Sequence, residues 1–303
     1  MKENQIYEGD SVELIKKIKD DSIHLILSDI PYGISYDEWD ILHNNTNSAL
    51  LGSSDAQKKA GGVFKTRGKP LNGWSEADKN IPKEYEEWCK KWAAEWLRVL
   101  MPGASVFIFA GRRMAHRCIC ALEDSGFIFR DMIAWEKDSA PHRAQRISEV
   151  YKRRNDIENQ EQWEGWRVGN LRPTFEPILW FQKPYKIGTT LADNVIQYNV
   201  GAFNDEKWNR YTINSQNLIR TKKDKGDHGL HPTQKPLNLM KALIELTTKE
   251  EQIVLDPFMG SGSTCVAAKE LNRKYIGFEL SHEYYEVAKK RLESGSVQQK
   301  MDI

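Results

Sequence analysis

Apolar positions along the chain switch between a strand-like and a helix-like period. Ser22–Leu27 gathers Ile23, Leu25, Ile26 and Leu27 into a short run that ends at Ser28-Asp29, as expected of a buried strand. A polar stretch from Ser35 to Pro82 follows, rich in Asn, Ser, Gly and Lys, and a loop of that length inside a compact domain is usually functional or mobile. Tyr85, Trp88, Trp92, Trp96 and Leu100 then recur at helical spacing, which predicts an amphipathic helix over Lys83–Leu100, stopped by Met101-Pro102-Gly103. Ser105–Ala110 reads as a strand, Arg112–Ser125 as a helix and Phe127–Trp135 as a strand.

From about Lys137 to Lys225 the pattern degrades into polar and basic residues mixed with aromatics such as Trp163, Trp166 and Trp208. One strand stands out, Thr174–Gln182, and Pro177 within it suggests an edge position. Regularity returns at His231. Pro236 sits where a helix would start, with Leu239, Met240, Leu243 and Leu246 as its apolar face. Gln252–Leu255 and Lys274–Phe278 read as strands around a helix at Ser263–Leu271, and Ser281 caps a last helix running to about Leu292. The expected fold is α/β, a Rossmann-like, doubly wound and mostly parallel sheet. Its expected parts are 1–137 with the loop 35–82, an insertion at 138–229 whose strand 174–182 belongs to the core, and 230–303.

The 303 residues, 40% hydrophobic and 29% charged, suit a soluble globular chain with one large domain or one domain and an insertion. No apolar run approaches a membrane span, and the N-terminus leads straight into a strand-like segment, so a cytoplasmic, nucleoid-associated protein is expected. Cys89, Cys118, Cys120 and Cys265 show no metal-binding spacing and are expected to be buried thiols, with no metal. Net charge is only +1, but basic residues cluster locally. Lys58, Lys59, Lys65, Arg67 and Lys69 form one group, Arg220, Lys222, Lys223 and Lys225 a second, and Lys152-Arg153-Arg154 a third. Such patches on a neutral protein fit contact with phosphates.

Two motifs carry chemistry. The strand ending at Leu255 runs into Asp256-Pro257-Phe258-Met259-Gly260-Ser261-Gly262 and then a helix. Gly260 and Gly262 allow a sharp turn and close backbone approach. The helix N-terminus behind them suits a ligand carboxylate, and Asp256 can accept a hydrogen bond from a ligand ammonium. Glu279, roughly 20 residues on at the end of the next strand, is placed to accept both hydroxyls of a ribose. A phosphate-binding loop needs a Lys where Ser263 stands, and a dinucleotide fingerprint needs a third small residue where Cys265 stands. The ligand expected is a nucleoside without a pyrophosphate.

The second motif is Asp29-Ile30-Pro31-Tyr32, just past the first buried strand. An amine conjugated with an adenine ring is a poor nucleophile. Asp29 and the carbonyl of Ile30 could accept both its hydrogens and favour a pyramidal nitrogen, a case of electrostatic preorganisation. Pro31 biases Ile30 toward an extended conformation, and Tyr32 offers a stacking face to a base swung out of a duplex.

Together these motifs resemble those of the amino-group DNA methyltransferases, the N6-adenine and N4-cytosine types, and their order looks like the family's β class. The likeness covers about 1–37, 84–137, 172–184 and 230–293. It implies a class I methyltransferase fold and S-adenosyl-L-methionine as cofactor. By that likeness Asp256, Phe258, Gly260 and Gly262 contact the methionine part and Glu279 the ribose. His231-Pro232-Thr233-Gln234-Lys235-Pro236 matches the block preceding the loop, which implies that Thr233 and Lys235 reach the cofactor carboxylate. Ile6-Tyr7-Glu8-Gly9-Asp10 matches the segment whose acid meets the adenine ring, which implies Asp10. Ile30 departs from the family, which usually has Pro there. Asp29 in first place looks like the adenine type, with N4-cytosine and RNA bases as alternatives. No cysteine follows a proline, which argues against cytosine-C5 chemistry. The segment 138–229 would read double-stranded DNA, and the loop 35–82 would close over the flipped base or grip phosphates. A restriction-modification context and a homodimer are further implications. A catalytically idle DNA-binding module is disfavoured, because the polar groups expected of the site are present.

Overall fold

The protein is described from a computed structural model, which describes residues 1–32, 76–137, 140, 144–221 and 234–298. In chain order its strands are β1 (Gln5–Glu8), β2 (Ile23–Asp29), β3 (Leu100–Phe109), β4 (Ile128–Lys137), β5 (Gln145–Arg146), β6 (Arg167–Val168), β7 (Phe175–Gln182), β8 (Leu218–Thr221), β9 (Ile253–Asp256) and β10 (Lys274–Glu279). Its helices are α1 (Ser11–Ile15), α2 (Glu76–Val99), α3 (Ala115–Asp124), α4 (Ile147–Lys152), α5 (Ile157–Gln162), α6 (Leu191–Tyr198), α7 (Asp205–Trp208), α8 (Leu237–Thr247), α9 (Ser263–Glu270) and α10 (His282–Gln298).

Eight strands form one sheet in the order β1-β10-β9-β2-β3-β7-β4-β8. The ladders β1–β10, β10–β9, β9–β2, β2–β3 and β4–β8 are parallel, and β7 runs antiparallel to both of its neighbours. Strands covered on both faces need apolar residues in succession. In β3, Val106 and Ile108 join a core shared with Ile15, Trp92, Trp96 and Leu122 on one side. Phe107 and Phe109 join a second core on the other side, with Leu239, Leu243, Val266 and Ala288. These two helical layers make the sheet doubly wound, as the sequence led us to expect.

Several expectations need correction. Pro177 does not mark an edge, since β7 lies between β3 and β4. Its carbonyl accepts from the Ala110 N–H at 3.4 Å, so its missing donor also faces β3, just past the last paired residue, Phe109. Its missing N–H forgoes the reciprocal bond to the Ala110 carbonyl, and the β3–β7 ladder ends there. Helix α2 starts well before Lys83, at Glu76, so the polar segment is shorter than expected; burial of Ile81 extends the apolar stripe back across Pro82. Met101-Pro102-Gly103 lies inside β3, where pairing jumps from Ile23–Leu100 to Leu25–Ser105. Gly103 takes φ +81° against the Asn194 side chain, whose amide donates to the Pro102 carbonyl at 2.9 Å. Strand β8 was not foreseen: its residues adjoin a basic run, but Ile219 is fully buried and Thr221 accepts from the Trp135 indole. Cys120 is exposed, whereas Cys89, Cys118 and Cys265 are buried. No described helix is long and apolar enough to cross a membrane.

Candidate active site

Ligands in doubly wound sheets bind beyond the carboxyl ends of the strands, where the connections diverge. Here β2 and β9 lie side by side, so the chain after Asp29 and the chain after Asp256 leave the sheet together. Both segments line one cavity of about 380 Å³, along with Asp10, Lys235 and Glu279. That volume lies in the range of small-molecule sites.

The half built on β9 is a nucleoside-sized cradle. Gly260 and Gly262 adopt φ +52° and +80°, conformations that let the loop turn tightly into α9. The Gly260 N–H donates to Glu279 Oε2 at 2.9 Å, and the Ser281 N–H donates to Oε1 at 2.8 Å. The carboxylate is thus held by backbone donors where it lines the cavity and can accept from a ligand hydroxyl. Burial raises the Glu279 carboxyl above its ordinary value despite these bonds. Asp256, 3% exposed, accepts from Ser28 Oγ at 2.7 Å and from the Phe258 N–H at 3.2 Å. Burial pushes its carboxyl up to about 7. The Phe258 ring packs against Trp88, Trp92 and Trp96, so α2 supplies an aromatic wall. Arg291 of α10 straps the loop from behind, donating to the Ser261 carbonyl and to Ser263 Oγ. Asp10 caps α1, accepting from the Val12 N–H at 2.7 Å.

The half built on β2 is ionic. The Tyr32 hydroxyl lies 2.9 Å from Asp29 Oδ1 and also contacts Glu176 Oε1. Lys235 Nζ meets Asp29 Oδ2, the Tyr32 hydroxyl at 3.0 Å and Glu176 Oε1 at 3.3 Å. Lys137 pairs with the other oxygen of Glu176. Burial foremost raises the Asp29 carboxyl, helped by Glu176 and opposed by Lys235. Burial disfavours the Lys235 charge, yet Asp29 and Glu176 outweigh it and raise its ammonium above the ordinary value. Tyr85 of α2 donates to the Pro31 carbonyl at 3.2 Å and holds the turn. A Cβ at Gly111 would fall 3.0 Å from Tyr32 Cβ, so that glycine makes room for the tyrosine.

The fold therefore brings Asp29, Ile30, Pro31 and Tyr32 together with Asp10, Asp256, Phe258, Gly260 and Glu279 around one cavity. Gly262 stands just behind, where its Cβ would meet Ala288 at 2.9 Å. Lys235 also lines the cavity, but its ammonium is joined to Asp29, Tyr32 and Glu176. The resemblance had set it against the cofactor carboxylate. Arg220 is exposed on β8 and paired with Glu136 at 2.6 Å. Thr233, Lys222, Lys223, Lys58, Lys59, Lys65, Arg67 and Lys69 lie outside the described residues. Sequence reasoning missed Glu176, Tyr85 and Ser28. A charged residue in the apolar run 175–182 was the available signal for Glu176, since buried charges are rare without partners.

The model of the DNA methylase family matches residues 23–290. The chain belongs to the DNA methylase family. The type II methyltransferase M.HindIII of Haemophilus influenzae is 61% identical over 292 residues, spanning 95% of this chain and 94% of that protein. M.HinfI, also a type II methyltransferase of Haemophilus influenzae, is 29% identical over 95% of this chain and 68% of its own length. Among solved structures, the M1.HpyAVI–SAM complex matches this methylase with TM-score 0.55 and 26% identity, over 95% of this chain and 98% of that one. PvuII DNA methyltransferase, described as cytosine-N4-specific, matches with TM-score 0.61 at 18% identity over 97% and 90% of the two chains, a likeness of fold.

Proposed function

We propose that this methylase transfers the methyl group of S-adenosyl-L-methionine to the N6 amine of an adenine flipped out of duplex DNA. The observation that carries the reading is the shared cavity, in which a carboxylate suited to an amine lies across from a cradle suited to a nucleoside. When bound, the cofactor supplies an electrophilic methyl group on a sulfonium.

The chain's own groups fit that ligand. Glu279 lines the cavity where it can accept from the ribose hydroxyls, and Asp256 can accept from an ammonium whose positive charge would favour its ionised form. Phe258 and its tryptophan wall exclude water from the apolar part. On the opposite side, Asp29 accepts from the target amine, with the Ile30 carbonyl as the second acceptor, and Tyr32 offers the base a face. Asp10 would meet the cofactor's adenine ring. Asp29 in first place of the tetrad favours adenine. The fold likeness to a cytosine-N4-specific enzyme keeps N4-cytosine as the second reading.

Recognition of the DNA sequence is assigned to 138–229, with phosphates gripped by the basic residues Lys58–Lys69 and Arg220–Lys223. The cell's cytoplasm is the compartment this function requires. Reaction with labelled cofactor and duplex DNA, followed by nucleoside analysis, tests the reading. N6-methyladenine is expected; N4-methylcytosine would move the assignment to the second reading, and no labelled base would overturn both.

A further inference from the structure

Glu176 belongs to neither sequence motif, yet it is built into the ionic half of the site. It is the one charged residue of strand β7, with its side chain 7% exposed. The charged and titratable groups facing it come from each neighbouring element: Tyr32 beyond β2, Lys235 ahead of α8, and Lys137 at the end of β4. Asp29 faces Lys235 and Tyr32, and its charge adds to what raises the Asp256 carboxyl on β9. A buried carboxylate without partners is costly, and here two ammonium groups face it and offset that cost.

The Tyr32 hydroxyl has one proton and two carboxylate oxygens beside it. With both carboxylates ionised it can donate to only one, and the other oxygen faces its lone pairs. One added proton completes the chain. A protonated Asp29 then donates to the phenol oxygen, and the phenol donates to Glu176. Glu176 is the partner that stays ionised, because among the described residues two ammonium groups face it, whereas Lys235 alone faces Asp29. Burial works to raise Glu176, but Lys235 and Lys137 hold it down at about 2. Asp29 moves the other way.

We propose that Glu176 is a positioning residue that claims the Tyr32 proton and so makes Asp29 the acceptor of the proton given up by the target amine. This rests on the methyl-transfer reading above, for adenine or cytosine alike. The amine lone pair forms the new N–C bond, and the S–C bond breaks with its electron pair left on sulfur. The positive charge moves to nitrogen, whose N–H proton passes to Asp29. Tyr32 and Glu176 hold the protonated carboxyl in place until product leaves and water removes the proton.

The test compares wild type, Glu176→Gln, Glu176→Asp and Lys137→Gln as full-length proteins carrying carbon-13 aspartate. The Asp29 carboxyl signal, assigned by its loss in Asp29→Asn, is titrated by NMR without cofactor. Glu176→Gln is expected to lower the Asp29 midpoint by about one pH unit or more, since a neutral amide neither repels a negative Asp29 nor claims the phenol proton. Lys137→Gln, at a half-buried position that tolerates an amide, is expected to raise it. Glu176→Asp should fall between wild type and Glu176→Gln. The acidic limb of single-turnover methyl transfer to duplex DNA, at saturating cofactor, should move in the same directions. Unmoved midpoints in an active enzyme overturn the proposal alone, as does a slower Glu176→Gln enzyme with an unmoved limb. A wild type that methylates nothing overturns the methyl-transfer reading and the proton step with it.

Discussion

The hydroxyl of Ser28 donates to Asp256 Oδ1 at 2.7 Å, joining two residues 228 positions apart in the chain. Ser28 stands just before Asp29, the last residue of β2, and Asp256 ends β9, which leads to Gly260. One buried hydrogen bond thus fixes the catalytic half of the cavity against the cofactor half. Such a bond also supports the ionised form of Asp256, partly offsetting the burial that pushes this carboxyl to about 7.

Cofactor affinity is therefore expected to depend on pH. Below about pH 7 the Asp256 carboxyl must shed a proton before it can accept from an ammonium, so affinity falls toward tenfold per pH unit as pH drops. Calorimetric titrations across this range check it, and Asp256→Asn should bind weakly with no such slope. The cofactor-free fold responds in the opposite sense. Its Asp256 value lies above the unfolded value of 3.8, so this group's contribution to stability is complete below that pH and is lost as pH rises toward 7. Denaturant midpoints of Asp256→Asn should show a flatter pH profile. A wild-type affinity that is level with pH would contradict the assignment.

Asp29→Ala is expected to lower turnover by roughly a thousandfold or more, since the amine loses the acceptor that orients it. Cofactor affinity should change less than about threefold, because Asp29 belongs to the other half of the cavity. Single-turnover rates and calorimetry separate the two effects. Normal turnover in this variant would remove Asp29 from the reaction.

Glu279→Ala should weaken cofactor binding about tenfold or more, which is about 1.4 kcal/mol. Two causes combine: the ribose loses its acceptors, and the Gly260 and Ser281 N–H groups lose theirs. Glu279→Gln keeps one acceptor oxygen and is expected to fall between the two. An unchanged dissociation constant in the alanine variant would count against the ribose role.

Gly262→Ala is expected to destabilise the protein by about 1–3 kcal/mol and to weaken cofactor binding. The residue sits at φ +80°, and its new Cβ would lie 2.9 Å from Ala288 Cβ on α10. A thermal melt equal to wild type would show that the loop tolerates a side chain there.

The parts legible in the sequence are those whose chemistry is contiguous. Asp256 to Gly262 reads as a ligand loop because strand, glycines and helix follow one another, and Asp29 to Tyr32 reads as a site because an acid, a proline and an aromatic sit together. The doubly wound sheet followed from the same alternation of periods. Glu176 was not legible, since its partners Tyr32, Lys137 and Lys235 come from three other segments. Pro177 beside it pointed to an edge, and only the end of the β3 ladder explains how it fits inside the sheet. Strand β8 was hidden by the basic residues that follow Arg220. Tyr85 had been counted as one more member of an apolar stripe; its hydroxyl bond to Pro31 is a tertiary fact.

Because β9 and β10 pair next to β2 and β1, synthesis of the chain delivers the first strands long before their neighbours exist. The growing polypeptide must keep Leu25, Leu27 and Phe107 out of aggregates until β9 and β10 emerge, a demand that slows folding of parallel sheets. No ribosome-bound fragment ending before Asp256 holds both sides of the crevice. Enzyme action begins only once synthesis has passed Glu279, which completes the cradle.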